Sequence, residues 1–113
     1  MKISENYQGD ILELKIEGEL DVNLAIQLDS VIKNAINNGY YKVCIDCLDL
    51  EYISSAGLGV FVSYLDELTS KDGKFIFYNM NEKVYNVFQI LGLQNLMTIV
   101  ESKEKVQQIL NES

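Results

Sequence analysis

Lys42-Val-Cys-Ile-Asp-Cys-Leu48 runs directly into Asp49-Leu-Glu-Tyr-Ile-Ser-Ser-Ala-Gly-Leu-Gly-Val60, and the step from one to the other decides the fold. The first piece is a compact apolar run without alternation, which is the composition of a central strand covered on both faces. From Ser55 to about Ser70, Leu58, Phe61, Val62, Leu65 and Leu68 recur at helical spacing, and Asp72-Gly73 ends the element. Asp49 to Ser54 is expected to be a loop between the two. A strand that passes through a loop into a helix is half of a βαβ unit, so further units should lie on either side.

They do. Upstream, Ile11-Leu-Glu-Leu-Lys-Ile-Glu17 alternates strictly, with Leu12, Leu14 and Ile16 on one face, the pattern of a half-buried strand. Lys2 to Tyr7 reads as its hairpin partner through the turn residues Gln8-Gly9-Asp10. After Gly18-Glu-Leu-Asp21, the positions Leu24, Leu28, Val31, Ile32 and Ala35 form one stripe of an amphipathic helix, with Asp21 as N-cap and Gly39 as stop. Downstream, Lys74 to Tyr78 reads as a strand. Asn81 to Leu91 reads as a helix carrying Val84, Val87, Phe88 and Leu91, closed by Gly92. A short strand near Met97 to Val100 and a helix from Ser102 using Val106, Ile109 and Leu110 complete the order ββαβαβαβα. Without Pro, linker or repeat, residues 1–113 are expected to be one α/β domain with a mixed, mainly parallel sheet and helices packed against it.

Composition narrows the function. The chain has 113 residues, 48% of them hydrophobic, enough for one core without a metal or disulfide staple. Seventeen acidic against nine basic residues give a net charge of −8, and every basic residue is Lys. Nucleic-acid backbones draw affinity from clustered Lys and Arg, so no nucleic-acid partner is expected; the charge suits a basic protein partner instead. No run is long enough for a membrane span, and Met1 to Asp10 is no signal peptide, so no membrane association and a cytoplasmic location are expected. The absence of His removes the commonest general base and metal ligand.

Cys44 and Cys47 form C-x-x-C, but on a strand residues three apart face opposite ways, with Cα atoms about 10 Å apart and out of disulfide reach. With no second cysteine pair and no His, no zinc site can be completed, so both are expected as buried free thiols.

What remains is Ser54-Ser-Ala-Gly-Leu-Gly59, outside the carboxyl end of a strand, where open α/β sheets place their sites. Ser54 is the natural N-cap and Ser55 the first helical residue. A phosphate on Ser55 would meet free backbone N–H groups and the positive end of the helix dipole. Ala56, Gly57 and Gly59 add little bulk, which leaves room for a partner's backbone or a kinase to come close. By pattern alone the plainer reading is a capped helix, with Ser55 as filler and glycines for tight helix–strand packing. Gly57-Leu-Gly59 lacks the third glycine of a dinucleotide fingerprint and falls inside the helix.

At this segment the chain resembles the STAS domain family, whose single-domain members include bacterial anti-sigma factor antagonists. Gly18-Glu-Leu-Asp21 is similar to the family's lead into its first helix, and Val43-Cys-Ile-Asp-Cys47 to its central strand. Ile53-Ser-Ser-Ala-Gly-Leu-Gly59 resembles its phosphorylation loop, and Ile90-Leu-Gly-Leu93 the segment after its third helix. The family loop commonly reads Asp-Ser-Ser/Thr-Gly. Matching on Gly57 places Ser55 at the phosphate acceptor, Ser54 where the Asp stands and Ala56 at the second hydroxyl, with Ser54 the alternative acceptor.

The resemblance implies a switch. The unphosphorylated loop and the N-terminal half of the second helix would dock on an anti-sigma factor with serine-kinase activity and release the sigma factor. Phosphorylation of Ser55 would break the contact, and a serine phosphatase would restore it. The implied partner-binding residues are Asp21, Asp46, Tyr52, Ile53, Ser54, Ser55, Ala56, Gly57, Leu58 and Gly59. No catalytic residue, metal or cofactor of its own is implied, because ATP and magnesium belong to the kinase. Three readings stand beside it: a non-phosphorylated STAS scaffold of a transport or lipid-trafficking complex, a serine-nucleophile enzyme without a His, and a redox protein using the cysteines.

Overall fold

Strict alternation in the second strand decides which side of the sheet is filled first. In the computed structural model, which describes residues 2–111, Leu12, Leu14 and Ile16 are all fully buried. They lie on β2 (Ile11–Leu20), which pairs antiparallel with β1 (Lys2–Gln8) through the turn at Gly9-Asp10. β2 also pairs parallel with β3 (Lys42–Asp46), β3 with β5 (Lys74–Tyr78) and β5 with β6 (Thr98–Val100), so the sheet runs β1-β2-β3-β5-β6.

Each crossover steps in the same direction along this order, so right-handedness sends its helix to one face. That face carries α1 (Val22–Asn37), α2 (Ser55–Ser70) and α3 (Glu82–Ile90), whose Leu28, Ile32, Phe61, Val84 and Phe88 share one core with Leu14, Val43, Ile45 and Phe77. The opposite face is covered by α4 (Lys103–Asn111), where Val106 packs with Cys44, Ile76 and Tyr78. α4 is tied to the sheet by Lys103 Nζ on Glu13 at 3.2 Å.

The expected order is corrected at one point. Asp49 to Ser54 is not all loop: Leu50–Ile53 forms a short strand, β4, giving ββαββαβαβα. β4 pairs parallel with the far end of β2, Gly18 opposite Leu50 and Leu20 opposite Ile53, with a bulge between them at Gly18/Glu19. The chain therefore leaves β3, makes a turn at Cys47–Asp49 and rejoins the same edge of β2 further along. Four residues with exposed Glu51 and Tyr52 carry no period of their own, and only the ten-residue length of β2 makes them a strand. Two stripe residues also face outward instead of inward, Val62 on α2 at 45% exposure and Leu91 after α3 at 58%.

Candidate functional site

Because β2 and β4 are parallel and in register at Leu20 and Ile53, the two helices that follow them begin side by side. The junction is fixed by Ser54 N–H donating to the Leu20 carbonyl at 3.0 Å. Each helix carries its own cap: Asp21 Oδ1 accepts from Leu24 N–H at 2.9 Å, and Ser54 Oγ accepts from Gly57 N–H at 3.1 Å. The caps satisfy one orphan donor each, and the first-turn N–H groups of Ser55 and Ala56 have no acceptor within their own helix. Ser55 is exposed, and α2 has no acidic residue in its first turn to oppose the helix dipole.

The expected site residues divide by orientation. Tyr52, Ser55 and Gly59 are exposed, and Asp21, Ser54 and Ala56 are partly so. Ile53, Gly57 and Leu58, expected in the docking surface, turn inward and are buried. The reason at Gly57 is contact: a Cβ there would come within 2.7 Å of Leu20 Cδ2 and 3.3 Å of Ile53 Cγ1. Asp46 is committed to a turn, its Oδ1 accepting from Leu48 N–H at 3.0 Å and from the Asn79 side-chain amide at 3.2 Å.

Reading along the sequence missed Val22, Ile26 and Val60. Together with Ala25, Asp29, Ser30 and Ala56 they line a groove of about 290 Å³ between α1 and α2, beginning next to Ser55. A signal was present: Val22 and Ile26 are four apart and lie off the Leu24, Leu28, Ile32 stripe, on what should be the polar side of α1.

The cysteines lie as expected, free and buried on opposite sides of the sheet, Cys47 in the core with the three helices and Cys44 under α4. Among the described residues no group of His, Cys, Asp and Glu could hold a metal, and no helix is long and apolar enough to cross a membrane.

Burial pushes both thiols up to about 12, with Glu13 adding to Cys44 and Asp46 to Cys47. Tyr78 is raised in the same sense by burial and then by Glu13. These acids keep their protons in the folded state at pH values where the unfolded chain has lost them. Their contribution is complete below the unfolded values, about 8.5 for Cys and 10 for Tyr, and declines as pH rises toward the folded ones. The midpoint of urea unfolding should therefore fall steadily between about pH 9 and 12, and a flat profile would contradict this burial. Thiol reagents at pH 8 should label neither cysteine until the protein unfolds.

The family model described as STAS domain matches residues 2–106. The chain belongs to the STAS domain family. A Staphylococcus epidermidis relative named anti-sigma-B factor antagonist is 33% identical over 104 residues, covering 92% of this chain and 96% of its own. That name describes a regulatory binding protein and not an enzyme. Two solved structures of SpoIIAA share the fold. The unphosphorylated anti-sigma factor antagonist is 22% identical with a TM-score of 0.85, covering 97% of both chains. The phosphorylated form of this Bacillus cell fate determinant is 21% identical with a TM-score of 0.77, covering 96% of this chain and 99% of its own.

Proposed function

We propose that this STAS domain is a cytoplasmic anti-sigma factor antagonist whose docking is switched by phosphorylation of Ser55. Unmodified, it binds an anti-sigma factor with serine-kinase activity and frees the sigma factor. The kinase, using its own ATP and magnesium, transfers the terminal phosphoryl group to Ser55 Oγ, leaving ADP and releasing the hydroxyl proton. A serine phosphatase hydrolyses the ester and resets the protein. The observation that carries this reading is an exposed hydroxyl at the first position of a capped helix, in a chain whose relatives are named as antagonists of this kind.

The choice of Ser55 over Ser54 rests on the cap. Ser54 Oγ is half-buried and engaged with Gly57 N–H, so modifying it would remove a bond that holds the helix start, worth about 1 kcal/mol. Incubation with the cognate kinase and ATP should place one phosphate on Ser55, read by mass spectrometry of the peptides. Phosphate on Ser54 alone would reassign the switch. No phosphate at all would favour the scaffold reading, which draws support from Ser54 standing where the family commonly has Asp.

A further inference from the structure

The glycines of α2 part company in what they do for the fold. Gly57 is held against Leu20, but a Cβ on Gly59 would meet nothing within 4 Å. Gly59 is exposed, lies in the interior of a regular helix and has no positive φ. Glycine in a helix interior is destabilising relative to alanine, and here no contact within the domain asks for it. The reason for a glycine here has to lie in what surrounds it.

The surroundings say what it is. Gly59 is one turn after Ser55, and the groove between α1 and α2 opens beside it, with Val22 at 59% and Ile26 at 65% exposure on one wall and Val60 on the other. Asp29 stands on the same wall, with no ammonium within ion-pairing distance among the described residues. The groove continues past Asp29 toward Lys33, Tyr64 and Glu67. Two sixteen-residue helices that start side by side leave a trough about 24 Å long, the shape that receives a third helix.

We propose that the α1–α2 groove is the docking surface for the anti-sigma factor and takes one of its helices, apolar toward Val22, Ile26 and Val60 and with a Lys or Arg opposite Asp29. The helix backbone approaches at Gly59, which is why no side chain stands there. This rests on the antagonist reading above and extends it: a phosphate on Ser55 sits at the mouth of an apolar groove whose rim is already acidic, so it both desolvates badly and adds like charge.

The test is affinity for the purified cognate anti-sigma factor, with melting temperature followed in parallel. Ile26→Glu and Asp29→Lys should each weaken binding at least tenfold, while Ile90→Ser, on the 83% exposed far end of α3, should bind like the parent. Gly59→Ala should raise the melting temperature by about 4 °C and still weaken binding severalfold, so loss of affinity there cannot come from unfolding. If Ser55→Asp abolishes binding but the groove variants bind as the parent does, the groove is wrong and the antagonist reading stands. If the parent itself does not bind the anti-sigma factor, both fall.

Discussion

Ser55→Asp is expected to weaken binding to the anti-sigma factor by at least about a hundredfold, while Ser55→Ala binds as tightly as the parent and no longer responds to the kinase. The reasoning separates two environments of one side chain. In the free domain a carboxylate at the first position of α2 faces N–H groups without intrahelical acceptors, in a first turn that has no other acidic residue. It should stabilise the fold slightly, by about 0.3 to 1 kcal/mol. In the complex the same charge would lose its water without gaining a cation, which costs several kcal/mol, and about 2.7 kcal/mol already corresponds to a hundredfold in affinity. The signature is therefore a melting temperature that holds or rises while affinity collapses, measured by calorimetry and by competition against the sigma factor. Equal binding by Ser55→Asp and the parent would place the switch elsewhere; a collapse in melting temperature would mean that Ser55 supports the fold.

How far the sequence reaches can be judged from particular segments. Ile11 to Glu17 and Leu24 to Ala35 announce themselves because one buried face imposes a period, and the structure buries the residues that the period selects. Asp21, Ser54, Asn81 and Gly92 mark helix ends through short-range bonds and backbone geometry that need no knowledge of the rest of the chain. β4 was illegible for the opposite reason: what makes Leu50–Ile53 a strand is the extension of β2 more than thirty residues earlier. The site behaves in the same way. The hydroxyl at a helix start is local and readable, whereas the groove needs Val22 and Ile26 of α1 brought beside Val60 of α2. The inward turn of Gly57 depends on Leu20, which lies on another element.

The same interdependence makes Phe77 a sensitive position in the core. Its ring lies 4.9 Å from Phe61 of α2 at 86°, 5.0 Å from Phe75 and 5.5 Å from Phe88 of α3, and it is fully buried. Edge-to-face and tilted contacts of this kind add to the burial itself, and a cavity left among three rings cannot close by moving one of them. Phe77→Ala should cost about 3 to 5 kcal/mol, a large part of the 5 to 15 kcal/mol expected for a domain, and lower the melting temperature by about 12 to 20 °C. A loss below about 1 kcal/mol would show that α2 is seated on the sheet by something other than this cluster. Phe61 lies six residues along α2 from Ser55, on the inward side, so the fraction that remains folded at low temperature should still bind the anti-sigma factor with the parent's affinity. Stability lost with affinity kept at Phe77, and affinity lost with stability kept at Ser55, are the two results that a surface switch on a separately packed core requires.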